Sequence, residues 1–423
     1  MNKKDFFKKV DIGHMKLPFF TLFKWGACSL LSGFGIGLIG ALFNLALAQV
    51  TDFRSEHFWL LFLLPVGGIV IIGLYQLSGQ MKNSGTNLVL SAIQATDEIP
   101  FRVTPLIFIS TLITHLFGGS AGREGAALQV GGSCGNFIAK LLKFDEKDTR
   151  ILIMCGMSAC FSAIFGTPVT AAIFSMEVIS IGIMYYAALV PCVLSAFIAS
   201  YTAKLVGVQS SHYTIGDIPD LNLLTGSKLI VMAAMFGIMS IILCYSLHKS
   251  NDLMQKYLKN PYIKIIVSGL AIIAMTYLFQ TRAYLGAGAP MIVQSFSVHA
   301  VWYAFLLKIL FTSITLSGGF KGGEIVPTLF VGATFGSFIC QFFGFPPALG
   351  AACGMVGLFC GVTNCPITSL MMAYELFDAH AIHYCLIAIA ISYLLSGYSS
   401  LYNSQRIVYS KFKTEFININ ANK

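Results

Sequence analysis

Glu124 is the residue of this chain with the clearest capacity for chemistry, because it follows a glycine turn inside an otherwise apolar segment. An ionisable side chain within a membrane segment is costly and is therefore a functional candidate. A glycine turn that opens a helix presents free backbone N–H groups and partial positive charge, which attract anions. The ionised carboxylate would block such a site, and the protonated one would leave it and carry a proton. The alternative is a carboxylate that only stabilises the first turn of a helix.

The chain also repeats itself at an offset close to 200 residues. Residues 118–124 match residues 318–324 without a gap, so Glu324 stands opposite Glu124, and Phe137 matches Phe338 one residue out of step. A second block, residues 155–177, matches residues 353–375 at an offset of 198. Paired halves with interrupted helices are typical of a transporter whose site lies between the repeats near the midplane of the membrane. Sequence alone leaves open whether the halves are parallel or inverted.

These repeats predict one membrane domain of two related halves, residues 1–206 and 228–423, joined by a polar linker over residues 207–227. A second anion-attracting helix start is expected at residues 322–325. Glu177 and Glu375 each follow a proline by nine residues. We expect these two carboxylates to cap or join helices rather than to bind a substrate.

The composition places these motifs in a bilayer. Hydrophobic residues make up 56% of the chain and charged residues only 11%, against about 25% charged in a soluble domain. Membrane-spanning helices are predicted at residues 25–50, 58–77, 229–247, 263–279 and 381–398. Shorter apolar segments are broken near residues 118–125, 166–168, 318–323 and 364–366, and such breaks must be buried in protein or line a cavity. The expected fold is an all-α polytopic membrane protein with interrupted helices.

The basic residues give a net charge of +9 but lie in short loops and near the ends, which argues against nucleic acid as a partner. The positive-inside rule predicts cytoplasmic termini, from the lysines that flank the first and last spans: Lys3, Lys4, Lys8, Lys9, Lys16, Lys411 and Lys413. The eleven cysteines include no C-x-x-C pair. We expect them to be small buried hydrophobes, and we predict no metal and no cofactor.

A hydrolase is the main alternative from another class. The letters Gly-x-Ser-x-Gly occur around Ser120 and around Ser133, but neither follows a recognisable strand. Helix packing or turn formation is the preferred interpretation of both segments, and no enzymatic activity is predicted.

At these residues the chain resembles the CLC family of anion channels and anion/proton antiporters. The segment from Gly122 through Arg123 and Glu124 to Gly125 matches that family's gating-glutamate signature, and Tyr402 falls where a late helix supplies a hydroxyl to the central anion. The resemblance implies an inverted-repeat fold and a homodimer with a separate pore in each subunit. It also implies that Glu124 is the external gate and the proton carrier.

The second selectivity segment, residues 318–327, looks like the bacterial fluoride-specific branch, which has Gly-Gly-Glu there. The first segment, residues 85–89, is similar to that branch, although Thr86 and Val326 depart from its usual residues. An alternative register would instead align Ser84 with the serine of chloride-type members. The inner proton-accepting glutamate of many chloride antiporters would fall at Val178, which leaves Glu324 as a candidate helper.

The resemblance therefore favours a fluoride/proton antiporter that exports fluoride across the inner membrane of a bacterium. A chloride/proton antiporter or a chloride channel is the alternative. Donors that could replace the water around fluoride are Thr86, Asn87, Tyr402 and the backbone near Gly122, Arg123, Gly125, Gly323, Ile325 and Val326. The ring edge of Phe330 could add partial positive charge, although packing is the commoner role of one phenylalanine among 35.

Overall fold

A computed structural model describes residues 12–81, 84–94, 99–216 and 218–422 of the chain. The lysines at positions 3, 4, 8 and 9, on which the topology prediction partly rests, lie outside these residues.

The described residues form helices connected by short segments. The first nine elements are α1 (Ile12–Glu56), α2 (Leu64–Leu77), α3 (Thr86–Ile93), α4 (Val103–Leu116), α5 (Glu124–Leu141), α6 (Glu146–Phe165), α7 (Pro168–Glu177), strand β1 (Ser180–Ile181) and α8 (Leu189–Leu205). The remaining elements are α9 (Leu223–Tyr257), α10 (Pro261–Leu278), α11 (Ala289–Ser295), α12 (Ala304–Gly318), α13 (Ile325–Cys340), α14 (Pro347–Thr363), α15 (Pro366–Leu376), α16 (Ile382–Leu395) and the strands β2 (Arg406–Tyr409) and β3 (Phe416–Asn420). Short 3₁₀ turns precede α2, α8 and α16 and follow α13.

Within the described residues, seven helical segments are long and apolar enough to cross a membrane. Four of the five predicted spans are among these seven, in α1, α2 with its preceding turn, α9 and α10, and the fifth falls on α16, a shorter apolar helix. The spans at α6, α8 and α13 were not predicted. Glycines, hydroxyl residues or a charged first turn lower their hydropathy, and those at α6 and α13 are also largely buried inside the protein.

The four predicted breaks are present. Helix α6 ends at Gly166, which has a φ of 71°, and α14 ends at Asn364, which has a φ of 58°. These are left-handed conformations that end a helix, and a proline opens the next helix in each case, at Pro168 and Pro366. The chain is thereby divided into short helices at the depth of the bilayer.

Glu177 and Glu375 confirm their predicted role as helix caps. The Glu375 carboxylate accepts hydrogen bonds from Val169 N and Thr170 N, each at 2.8 Å, at the start of α7. The Glu177 carboxylate accepts from Ile367 N at 3.0 Å and Thr368 N at 2.7 Å, at the start of α15. Each half therefore caps a helix of the other half, the reciprocal pattern of an interface with two-fold symmetry.

The two glycine turns show the same reciprocity and correct the sequence alignment. Gly122 N donates to Gly323 O at 2.7 Å, and Gly323 N donates to Gly122 O at 2.8 Å. Helix α5 begins at Glu124 and α13 at Ile325. The structural offset here is thus 201, the offset of the Phe137 match. The gapless offset of 200 is wrong in this segment, because Glu324 corresponds to Arg123 and not to Glu124.

The two ends of the described chain lie on one face of the molecule. Helices α1 and α8 run parallel, since Ser29 Oγ donates to Pro191 O at 3.1 Å and the hydroxyl oxygens of Ser32 and Ser195 are 3.0 Å apart. Strand β1, which directly precedes α8, pairs in parallel with the C-terminal strand β2, and β2 pairs with β3. This three-stranded sheet was not predicted, so the fold is predominantly but not entirely α-helical.

The predicted polar linker overlaps the start of the next helix. Helix α9 begins at Leu223, where the Asn222 side chain accepts from Leu224 N and Thr225 N at 3.0 Å. The last five residues of the predicted linker 207–227 are therefore helical. The division into halves 1–206 and 228–423 stays a prediction. All eleven cysteines are buried and unbridged, as the sequence analysis expected.

Candidate anion site

Glu124 lies where the two glycine turns meet. Its side chain is fully buried at the first residue of α5, and both carboxylate oxygens lack a hydrogen-bond partner. The backbone N–H groups of Arg123, Glu124 and Val326 face the carboxylate without reaching hydrogen-bond geometry. A buried acceptor without a partner is expensive. Burial of the carboxylate here therefore costs free energy, and movement of the side chain out of this position would relieve that cost.

Both turns need glycine because their backbones lie so close to each other and to the Glu124 carboxylate. A Cβ atom on Gly323 would lie 2.6 Å from Gly125 N and 2.8 Å from Glu124 N. A Cβ atom on Gly122 would lie 2.9 Å from the Pro327 side chain and 3.0 Å from the Glu124 carboxyl carbon. Only hydrogen fits at these two positions, so the turns can bring both helix starts to one carboxylate.

Thr86, rather than Ser84, lies beside this centre. The Thr86 hydroxyl is 3.2 Å from the place that a Cβ on Gly125 would occupy, whereas Ser84 is exposed. Gly85, between them, has a φ of 68° and begins α3. Of the two candidate hydroxyls, Thr86 is therefore the one that lies beside the start of α5, and its role as an anion ligand stays a prediction.

Asn87 and Tyr402 are brought together by the C-terminal segment. Asn87 Oδ1 accepts a hydrogen bond from Ser404 N at 3.0 Å, so the amide –NH₂ group is the part of this side chain left to donate elsewhere. Tyr402 is 3% exposed and lies within electrostatic range of both Glu124 and Glu324. Tyr402 is thus a buried hydroxyl near Glu124, and the roles of Asn87 and Tyr402 as anion ligands stay a prediction.

Arg123 points away from this centre into a cavity of about 230 Å³. Its guanidinium donates to Asn44 Oδ1 and lies 5.0 Å from the ring centroid of Phe165. The cavity is also lined by Asp52, near the end of α1, and by Tyr213. It therefore opens on the face opposite to the C-terminal sheet, with Glu124 between the cavity and that sheet.

The second turn contributes backbone more than side chains. Ile325 is buried at the first residue of α13, and Val326 lines the cavity while its N–H faces Glu124. Glu324 precedes the helix and is only partly buried. The centroids of the Phe330 and Tyr284 rings are 6.1 Å apart. This contact fits the packing role that the sequence analysis gave as the commoner one for a phenylalanine, and an anion-binding role for Phe330 stays a prediction.

Comparison with known proteins identifies the fold. The profile described as voltage gated chloride channel matches residues 67–397, which is more than three quarters of the chain. The chain belongs to this family, the CLC family. A relative from Pseudomonas syringae pv. tomato, called a chloride/fluoride channel protein, is 34% identical over 402 residues, covering 93% of this chain and 88% of the relative.

Two further CLC proteins are similar to this chain, at different levels of sequence identity. The crystal structure of a CLC-type fluoride/proton antiporter superposes with a TM-score of 0.88 at 33% identity, covering 92% of this chain and 98% of that one. The H(+)/Cl(-) exchange transporter ClcA of Vibrio cholerae is 25% identical over 393 residues, covering 85% of this chain and 82% of the relative. The chain is thus a multi-pass membrane protein with the CLC fold.

In this CLC protein, a valine stands at position 178, where the family resemblance implies the inner proton-accepting glutamate of many chloride antiporters. Val178 is buried, and its carbonyl accepts from Gln405 Nε2 at 2.9 Å. The carboxylate of the neighbouring Glu177 is already hydrogen-bonded to the start of α15. Gln405 Nε2 also donates to Thr363 O at 2.7 Å. The C-terminal segment is therefore hydrogen-bonded to the backbone beside Val178.

The two Gly-x-Ser-x-Gly segments are structural. Ser133 Oγ donates to Pro100 O at 3.0 Å. Ser120 Oγ accepts a hydrogen bond from Lys308 Nζ at 3.0 Å, lies 3.1 Å from Thr312 Oγ1, and is fully buried. In the described residues, no cluster of three His, Cys, Asp or Glu side chains could hold a metal ion.

Sequence reasoning missed Lys308 and Gln129. Lys308 is fully buried behind the first glycine turn, and Gln129 Nε2 donates to Gly125 O at 3.0 Å. A lysine in the second turn of a short apolar helix could have been recognised as an unusual intramembrane charge. No sequence signal separates Gln129 from other polar residues of the glycine-rich helix α5.

Proposed function

We propose that this protein exchanges fluoride for protons across the membrane and exports fluoride from the cytoplasm, with Glu124 as gate and proton carrier. The observation that carries the proposal is the fully buried, unpartnered Glu124 carboxylate at the meeting point of two helix starts. Helix starts favour negative charge through their free N–H groups and dipoles. An ionised carboxylate and a transported anion would therefore compete for one place.

This competition produces coupled exchange. Ionised Glu124 occupies the site and excludes the anion. Protonated Glu124 is neutral, gives up the site, and carries its proton when it moves. An anion can pass only when a proton has been taken up, so the two ions exchange in opposite directions. Because the counterpart of Glu124 in the second turn is Ile325, a single carboxylate performs this gating in each subunit.

Fluoride is the preferred anion for two reasons. The structure that superposes at 33% identity is that of a fluoride/proton antiporter, and the Pseudomonas relative is called a chloride/fluoride channel protein. The chain also has Val178 where the sequence comparison expects the inner glutamate of chloride antiporters. Chloride/proton exchange is the second candidate, since the Vibrio relative at 25% identity is an H(+)/Cl(-) exchange transporter.

The proposed anion ligands are short donors around Glu124. Fluoride is small and strongly hydrated, so donors must approach closely to replace its water. The Thr86 hydroxyl, the Asn87 amide, the Tyr402 hydroxyl and the N–H of Val326 are the groups that we assign to this role. Glu324, within electrostatic range of Glu124, is the proposed helper in proton transfer on the side of the chain termini.

We place the protein in the inner membrane of a bacterium with both termini in the cytoplasm. The parallel α1 and α8 and the pairing of β1 with β2 support one common side for the two ends. We also propose a homodimer. The CLC resemblance supports this proposal, and the exposed apolar side chains of several helices, among them Phe197, Tyr201, Tyr374 and Leu386, offer surface for contact with lipid or with a second copy.

Purified protein in liposomes tests the proposal. Efflux of fluoride and of chloride is measured in parallel from vesicles loaded with either salt, and a pH-sensitive dye reports proton movement. We expect fluoride efflux to exceed chloride efflux and a fluoride gradient to drive protons uphill. Equal rates for the two anions would reject fluoride selectivity. Anion efflux with no proton movement would identify a channel instead.

A further inference from the structure

Lys308 is a buried positive charge that the proposed mechanism does not yet use. It lies in the second turn of α12 with no exposed surface. Its ammonium group donates to Gly286 O at 2.7 Å, Ser120 Oγ at 3.0 Å and Tyr284 O at 3.2 Å. Three oxygen acceptors match the three N–H donors of a protonated lysine. The ring of Phe330, 5.2 Å from Nζ to centroid, adds a cation–π contact.

Lys308 belongs to a group of cations around the first glycine turn. Arg54 donates to His115 O at 2.8 Å, and Arg123 donates to the side chain of Asn44. All three cations are within electrostatic range of His115. None of the three forms an ion pair with a carboxylate among the described residues. An anion near the turn would therefore meet several cations that have no carboxylate in direct contact.

The Glu124 carboxylate interacts electrostatically with Lys308. The two groups are within electrostatic range across the buried turn that runs from Ser120 to Glu124. Charges in such a low-dielectric interior interact strongly and are little screened by salt. Lys308 has no surface exposed to solvent. Its effect on an anion in front of the turn is consequently electrostatic and not a direct contact.

We propose that Lys308, held by Ser120 and by the carbonyls of Tyr284 and Gly286, is a positioning residue whose fixed charge sets the affinity of the central site for anions. It favours ionised Glu124 in the closed state and the transported anion in the open state. This inference rests on the proposed exchange function. Other charged or titratable groups act on the same site and remain in every variant below: Arg54, His115, Arg123, Glu324 and Tyr402.

The test compares charge removal with disruption of the same hydrogen-bond group. Lys308→Gln and Lys308→Met remove the charge, Lys308→Arg keeps it, and Ser120→Ala removes one hydrogen bond but no charge. Each variant is checked for monodispersity and thermal stability in detergent. Fluoride KM and the pH dependence of fluoride-driven proton transport are then measured in liposomes beside wild type.

We expect the neutral variants to raise the fluoride KM by about tenfold or more, the size of effect that loss of a nearby buried charge produces. We also expect their pH profile to move by about one unit toward higher pH, because protonation of Glu124 becomes easier. Lys308→Arg and Ser120→Ala should keep the wild-type profile. The rise in KM should persist in a Glu124→Gln background, where only the anion can respond to the charge.

A purely structural role would lower thermal stability in the neutral variants and in Ser120→Ala while leaving KM and pH profile unchanged, and it would overturn the inference. If neither neutral variant is monodisperse, a shifted profile in Lys308→Arg would overturn it, and an unchanged profile would support it. A wild-type protein that moves no anion would instead remove the proposed function itself. The two failures are therefore distinguishable.

Discussion

Gly122 and Gly323 exchange backbone hydrogen bonds in both directions, and this pairing makes Ile325 the structural counterpart of Glu124. The two helix starts are therefore alike in backbone but different in chemistry. Both present N–H groups to one place, and only the first half supplies a carboxylate there. Two-fold symmetry provides the paired helix starts, and in the proposed mechanism its violation at one position provides the gate.

Replacement of Glu124 by Gln should separate anion movement from proton movement. The neutral amide can neither ionise to block the site nor carry a proton. We expect proton transport driven by a fluoride gradient to vanish while fluoride efflux persists. Dye-reported proton uptake and electrode-reported fluoride efflux from the same liposomes measure the two quantities. Glu146→Gln, at a side chain that is 90% exposed, is the control and should behave as wild type.

Replacement of Gly323 by Ala should disable the site. The new Cβ would collide with backbone nitrogen atoms at 2.6 and 2.8 Å, and these atoms cannot move without breaking the pairing with Gly122. We expect loss of fluoride efflux and a lower melting temperature in detergent. Gly226→Ala is the matched control, because nothing lies within 4 Å of its Cβ position in α9. Wild-type transport by Gly323→Ala would contradict the observed closeness of the two turns.

Much of this architecture could be predicted from local sequence. Gly166 and Asn364 indicated helix ends, and the prolines that follow them indicated helix starts, because these residue types restrict the backbone conformation directly. The caps formed by Glu177 and Glu375 could be predicted because the same residue recurs at the same distance after a proline. Such features depend on few residues, so a repeat in the letters reveals them.

Other features depend on packing between distant segments and could not be predicted. The offset of 201 at the glycine turns became clear only from the pairing of Gly122 with Gly323, since the letters match better at 200. Lys308 donates hydrogen bonds to Ser120 and to two carbonyls from the segment after α10. These contacts join residues far apart in the sequence, so no spacing of residues predicts them. Strand β1 has two residues and owes its existence to β2.

Loss of the Glu375 carboxylate should destabilise the protein without altering ion selectivity. Glu375→Ala leaves Val169 N and Thr170 N without their acceptor inside the molecule. An unsatisfied buried donor costs about 1–3 kcal/mol, so the melting temperature should fall by several degrees. Glu177→Ala should produce a similar loss, because it breaks the symmetry-related cap. The exposed Glu415→Ala is the control, and a changed ratio of fluoride to chloride efflux in Glu375→Ala would contradict a structural role.

Lys411 should make the stability of the C-terminal hairpin depend on pH. Its ammonium group donates to Asn364 Oδ1, to Tyr393 O at 3.0 Å and to Ser396 Oγ at 3.1 Å, where the hairpin packs against the break between α14 and α15. Burial lowers the pKa of Lys411 from its ordinary value of 10.5 to about 8. Between these two values the unfolded chain binds more protons than the folded protein. The contribution of Lys411 to the free energy of unfolding therefore rises with pH in this window.

The comparison of wild type with Lys411→Met measures this contribution, because methionine keeps the apolar stem and does not titrate. We expect the melting temperature of wild type, relative to that of the variant, to increase from about pH 7.5 to about pH 9.5. Lys413→Met, at an exposed position of the same hairpin, should show no such change relative to wild type. A difference between wild type and Lys411→Met that stays constant, or that shrinks with rising pH, would show that the buried amine does not lose its proton in this range. The hydrogen bonds to Asn364 and Tyr393 would then hold the lysine in its charged form across the whole range.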